Sequence, residues 1–262
     1  MPSTQFSLII PTLPSRESSC PAGPTQTLEL MRGTSLEHYC AGTLQDRTAM
    51  VVVEESLQIS IRGREDIFLA RTPGDDENLI VGHLFSQGLI RTRSDILDMT
   101  FRHGSAQAVV GLRHHLPRRP LPAMSGVSNI DPKQIFRLRK RFEEHQRLYH
   151  STGATHAAAL FKANGELVAY GEDVSRHCAF DKAIGSALES RLLAGVEIAM
   201  LTSRLASELA AKASMARIPV LCGFSAATSS GMELAESDGV TLIGRIGKDS
   251  FTVYANGWRL RS

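Results

Sequence analysis

The chain has 262 residues, 42% of them hydrophobic and 21% charged, with a formal net charge of +2. That length buries a substantial core, in one large domain or two modest ones, and the balance is that of an ordinary soluble globular protein. The net charge is too mild to argue for nucleic acid or membrane as a partner. The apolar run Phe6 to Pro11 is far too short for a signal segment or a membrane span. Cys20, Cys40, Cys178 and Cys222 are scattered, with no Cys-x-x-Cys and no metal-ligand spacing, so they read as thiols of a reducing cytoplasm.

Residues 1–40 are rich in Pro, Ser and Thr without a sustained period, and predict a loosely ordered arm. Residues 41–122 predict an α+β unit. Its strands are Met50 to Val53, the alternating Leu57, Ile59 and Ile61, then Ile67 to Ala70. After the turn Thr72-Pro73-Gly74-Asp75-Asp76, a helix carries Leu79, Ile80, His83 and Leu84 on one face and stops near Gly88. Ile96 to Phe101 and Ala108 to Leu112 add two strands. A basic, Pro-rich linker runs from His114 to Met124.

Residues 123–262 predict a second unit. Asp131-Pro132 sets an N-cap before an N1 proline, and Ile135, Leu138, Phe142 and Tyr149 form one stripe of the helix that follows. Strands His156 to Phe161 and Leu167 to Tyr170 flank the Asn164-Gly165 turn. Helix Cys178 to Leu193, strand Glu197 to Leu201, helix Arg204 to Met215 and strand Pro219 to Cys222 then alternate. A short helix, Met232 to Glu236, precedes strand Val240 to Gly244, and Phe251 to Tyr254 closes the sheet. Alternation of this kind predicts an α/β fold, a three-layer α/β/α sandwich with mostly parallel strands. Ligands of such sheets gather at the carboxyl ends of the strands.

The densest chemistry lies in Gly171-Glu172-Asp173-Val174-Ser175-Arg176-His177-Cys178-Ala179-Phe180-Asp181-Lys182. Two carboxylates, an arginine and a histidine stand where a strand ends and a helix begins, placed to hold an anion or move a proton. A solvated helix start, capped by Asp173, explains the same letters equally well. Arg245-Ile246-Gly247-Lys248-Asp249-Ser250 forms a cationic turn between the last two strands, and Phe224 to Ser230 leads into a helix. Both suit phosphate contacts, and both also suit plain connections.

The long string resembles the Gly-Glu-Asp-Val-Gly-Arg-His-Asn-Ala-Leu-Asp-Lys signature of the FdhD/NarQ family of formate dehydrogenase accessory proteins. It departs at Ser175, Cys178 and Phe180. Thr152-Gly153-Ala154-Thr155-His156-Ala157-Ala158 is similar to that family's Thr-Gly-Gly-x-His-Ala-Ala. Arg71-Thr72-Pro73-Gly74-Asp75-Asp76-Glu77, Leu84-Phe85-Ser86-Gln87-Gly88, Ile218-Pro219-Val220-Leu221 and Thr241-Leu242-Ile243-Gly244 match further motifs in the same order. The resemblance runs from about Val51 to Tyr254.

It implies a homodimer with a fold similar to cytidine deaminase. It also implies a role in passing persulfide sulfur from a cysteine desulfurase to the molybdenum cofactor, bis-molybdopterin guanine dinucleotide, before that cofactor enters formate dehydrogenase. GDP would then be a partial ligand. On this resemblance, Arg245 to Ser250 with Glu172, Asp173, Arg176 and His177 are the cofactor-binding residues. The family carries sulfur on a Cys-Gly-x-Cys-Gly loop, which here reads Ser125-Gly126-Val127-Ser128-Asn129. A serine hydroxyl ionises far less readily than a thiol and cannot hold a persulfide. The expectation is therefore a cofactor-binding protein without the relay. The alternative is an active sulfurtransferase that uses Cys178 instead. A zinc deaminase is disfavoured, since His156 is followed by Ala157-Ala158 and no Cys-x-x-Cys exists.

Overall fold

The computed structural model describes residues 29–102, 104, 106–113, 122–124 and 129–260. The chain opens with a hairpin, β1 (Met31–Cys40) and β2 (Thr43–Val52), which pair antiparallel through all ten residues as a sheet of their own. Met31 to Cys40 had been expected in the loose arm. The stretch carries no apolar alternation because neither face of this ribbon is buried, and pairing across the Ala41-Gly42 turn makes the strand instead.

β3 (Glu55–Ile61), β4 (Ile67–Arg71), β5 (Ile96–Arg102) and β6 (Gln107–Leu112) form a second sheet in the order β4-β3-β6-β5. Leu57, Ile59 and Ile61 alternate inward, as their spacing predicts, onto α1 (Asp76–Ser86). Helix α1 packs in turn on α4 (Arg176–Glu189). A Cβ at Gly82 would overlap the Asp181 carbonyl, and one at Gly185 the Asn78 carbonyl. The two helices therefore touch backbone to backbone, which only glycine at the crossing allows.

The larger sheet has β7 (His156–Phe161), β8 (Leu167–Asp173), β9 (Ile198–Leu201), β10 (Val220–Gly223), β11 (Thr241–Gly244) and β12 (Thr252–Ala255), in the order β12-β11-β10-β9-β7-β8. Helices α4, α5 (Ser207–Met215) and α6 (Ser229–Asp238) cover one face, burying Phe180, Leu209 and Ala235 against Leu160, Leu221 and Leu242. Helix α2 (Pro132–Glu143) covers the other with Ile135, Leu138 and Phe142. Three layers result, as the alternation predicts. The strands are less parallel than expected. Only the neighbouring pairs β9–β10 and β10–β11 are parallel, because β7 pairs antiparallel with both β8 and β9 and β12 pairs antiparallel with β11.

Asp131 caps α2 by accepting from the Lys133 amide at 2.9 Å, with Pro132 at its first turn. The helix stops at Glu143, and Tyr149 belongs to the separate α3 (Arg147–Thr152), where it is exposed rather than on the buried stripe.

Candidate functional site

Asp173, at the end of β8, is fully buried. It pairs with Lys182 at 2.8 Å and accepts from the backbone amides of Ser175 at 2.8 Å and Thr72 at 3.1 Å. Lys182 also donates to the Thr72 carbonyl at 2.8 Å. The Asp-Lys pair of the signature thus ties the β4–α1 turn to the large sheet. Glu172 accepts from the Tyr149 amide at 2.7 Å, the Thr155 hydroxyl at 2.8 Å and the Tyr170 hydroxyl at 3.0 Å. Both carboxylates, expected at the cofactor, are occupied inside the fold.

The next two signature residues diverge. Successive positions on a helix point about 100° apart, and Arg176 and His177 begin α4. His177 turns toward α5, where its Nε2 lies 3.2 Å from Glu208. Arg176 turns toward the carboxyl ends of the large sheet. Its Nε is buried, and among the described residues it has no hydrogen-bond or ion-pair partner. Beside it stands His156, whose pKa is held below the usual imidazole range by burial and by the charges of Arg176 and Arg204. The His156 Nδ1 lies 3.2 Å from the Thr202 hydroxyl.

From there a shelf crosses the strand ends. The loop after β9 is zipped to the loop after β10, with the Leu205 amide donating to Ala226 and the Thr228 amide to Leu205. Arg139 of α2 stacks over Phe224, 5.3 Å from the ring centroid. The Arg245 amide donates to the Ser225 carbonyl at 3.0 Å, which joins the turn after β11 to the same row. In that turn the Gly247 amide donates to Ser250 at 2.7 Å, Ile246 is buried, and Arg245, Lys248, Asp249 and Ser250 are exposed. Arg176 and Arg245 do not share one compact pocket. Four strand steps separate β8 from β11, about 19 Å at the usual spacing. His156, Arg204 and the 224–228 loop fill the interval. The 224–228 loop was a candidate for phosphate contact from its sequence; His156 and Arg204 were not, because only the strand order brings them into the row.

Ser125 and Ser128 lie outside the described residues. The chain on either side of them is fastened at the amino end of β11. The Met124 amide donates to Asp238 at 2.8 Å, Arg259 donates to the Met124 carbonyl at 3.0 Å, and Ile130 bridges to Leu260. That is the end of the sheet opposite the shelf. Cys178, the alternative sulfur carrier, is 3% exposed and its thiol points at the Ala70 carbonyl. Burial, then the Asp173 charge, push its pKa up to about 12. Such a thiol is protonated and inert at neutral pH. Cys222 is fully buried in the core below α2.

A second cluster lies behind the signature. Asp181 is buried and takes three partners: Lys212 of α5, the His83 ring at 3.2 Å and the Ser86 hydroxyl at 2.9 Å. This cluster forms the floor of a cleft of ≈ 680 Å³ between β4, α1, α4 and α5.

The chain is thus a three-layer α/β protein with cationic side chains along one set of strand ends, where ligands of such sheets gather. The chain belongs to the FdhD/NarQ family, whose model matches residues 52–121 and 112–261. It is 32% identical to the sulfur carrier protein FdhD of Mycolicibacterium paratuberculosis, over 85% of this chain and 96% of that one. It is 34% identical to the protein of the same name from Sulfurisphaera tokodaii, covering 73% and 83%. The fold matches a crystal structure described as a formate dehydrogenase accessory protein from Desulfotalea psychrophila. That match has a TM-score of 0.77 at 24% identity, and covers 89% of this chain and all of the other. Among the described residues no helix is long and apolar enough to cross a membrane.

Proposed function

We propose that this chain is a formate dehydrogenase accessory protein of the cytoplasm that receives bis-molybdopterin guanine dinucleotide and holds it before its insertion into formate dehydrogenase. The observation that carries this reading is a part-buried Arg176 beside a neutral His156 and an exposed Arg204 at the strand ends, both arginines without a side-chain partner among the described residues. A buried guanidinium with an unmade hydrogen bond is costly unless an anion completes it, and its planar fork matches a phosphate. The row from Arg176 to Arg245 has the length of a dinucleotide rather than of a single phosphate. The diphosphate of the guanine nucleotide would rest against Arg176 and Arg204 beside His156, and the rest of the cargo would run along the row toward Arg245 to Ser250.

The chain binds rather than relays. Ser125 and Ser128 offer no thiolate, and the buried Cys178 supports no substitute route. A cysteine desulfurase is then a partner of cysteine-bearing relatives and not of this chain. The functional unit is a homodimer, which light scattering at micromolar concentration checks.

Calorimetry with GDP tests the site. Wild-type chain should bind it, and Arg176→Ala with Arg204→Ala should weaken binding at least about tenfold, the value of one charge-assisted contact of roughly 1.4 kcal/mol. Equal affinity in both proteins, or none in either at millimolar GDP, removes the reading.

A further inference from the structure

The cleft over Asp181 has a wall that no helix can provide. Strand β4 is the edge of its sheet, hydrogen-bonded only to β3. The Cys178 thiol reaches the Ala70 carbonyl from the cleft side, so the polar backbone groups of Ala70 point away from β3. In an antiparallel strand a residue's N–H and C=O share one side and alternate residues share direction. The N–H and C=O of Phe68 therefore point outward too. Phe68 and Ala70 are both exposed, Phe68 at 66%. Native sheets guard such an edge with charge, proline, a bulge or a covering element. Among the described residues, β4 has no proline or charge at Phe68 to Ala70, only the Cys178 thiol meets its edge at the Ala70 carbonyl, and the cleft runs alongside it.

The rim is acidic. Glu54 is exposed and has no hydrogen bond or ion pair among the described residues. Glu208, on the facing wall, has a side chain 70% exposed and, among the described residues, pairs only with His177. Burial, then Arg176, holds His177 below the usual imidazole range, so the ring is neutral at pH 7 and leaves the Glu208 charge uncancelled. On the floor, Lys212 is already matched by Asp181.

We infer that this cleft binds an extended peptide segment of a partner protein, added as a strand along β4 and carrying lysine or arginine side chains that meet Glu54 and Glu208. Main-chain hydrogen bonds to the N–H and C=O of Phe68 and to the N–H of Ala70 supply affinity, and the two rim carboxylates select the basic sequence. The site uses residues other than those of the strand-end shelf, and its argument does not rest on the cofactor reading.

The test uses two fluorescein-labelled peptides, Val-Lys-Val-Lys-Val-Lys and Val-Glu-Val-Glu-Val-Glu, with fluorescence anisotropy on the full chain. The basic peptide should bind and the acidic one should not, with affinity falling as salt rises. The double variant Glu54→Gln/Glu208→Gln should lose about tenfold, as removal of rim charges does. Phe68→Pro removes one outward N–H, a change an edge strand tolerates, and should abolish binding while keeping the native unfolding midpoint. Hydrogen exchange on the wild-type chain reads the same edge directly, since the Phe68 and Ala70 amides should gain protection when peptide is added. Equal binding of both peptides, binding of neither at millimolar concentration, or no new protection on β4 each overturns the inference.

Discussion

Replacing Asp181 by Asn keeps the side chain's shape and removes its charge from a place where the carboxylate is 1% exposed and its partner Lys212 only 7%. The His83 and Ser86 contacts can survive on the amide oxygen, but the ammonium of Lys212 is left buried without a counter-charge. Breaking one half of a buried ion pair costs about 3–5 kcal/mol. For a chain of this size that lowers the melting midpoint by roughly 6–20 °C. Burial pushes the Asp181 pKa up, but the Lys212 charge and the His83 hydrogen bond outweigh it and hold the carboxyl below its ordinary value. A depressed carboxylate stabilises the fold above its unfolded pKa, near 4, and loses that contribution as pH falls through the folded value. The gap between wild type and variant should therefore be full at neutral pH and close on acidification below about pH 4. Asp181→Asn combined with Lys212→Met should recover at least about half of the loss, since the stranded charge is gone. Urea unfolding of the three proteins across pH gives all of these values. A single variant within about 1 kcal/mol of wild type, or a gap that widens in acid, would refute the idea that charge pairing secures this cluster.

Gly82→Ala drives a methyl into the Asp181 carbonyl with backbone on both sides. It should destabilise by about 1–3 kcal/mol or more in the same unfolding assay, whereas Gly195→Ala, which meets nothing, should not. Cys178→Ser should leave persulfide labelling by a cysteine desulfurase unchanged by mass spectrometry, because the buried thiol takes no sulfur in wild type either. His156 is held neutral by burial and by Arg176 and Arg204. Its unfolded form takes up a proton near pH 6.5, so stability from this residue is lost as pH falls through that value. A bound phosphate favours the protonated ring, so GDP affinity should rise between about pH 8 and pH 6, and His156→Gln should flatten that slope in calorimetry.

The elements were legible where local chemistry decides them. Asp131-Pro132 starts α2 because a side-chain cap and a missing N–H belong together at a first turn. Leu57, Ile59 and Ile61 alternate because one face of β3 is covered. The ordered motifs fixed the family, since twelve consecutive signature positions constrain a strand, a cap and a helix at once. Other features depended on distance along the chain. Met31 to Cys40 is a strand only because Thr43 to Val52 pairs with it, and a ribbon bare on both faces writes no period into its sequence. His83 meets Asp181 across 98 residues, and Lys212 meets it across 31. No spacing rule links such positions. Glu172 and Asp173 read as ligand groups by type, yet the fold gives both internal partners, while Arg176 and His177, neighbours in the sequence, diverge by about a quarter turn of α4. Residue types and local periods were set by the sequence alone. Which charges are buried, which meet, and which remain open for a ligand was decided by strand order and helix crossing, because those alone bring remote side chains within a few ångströms.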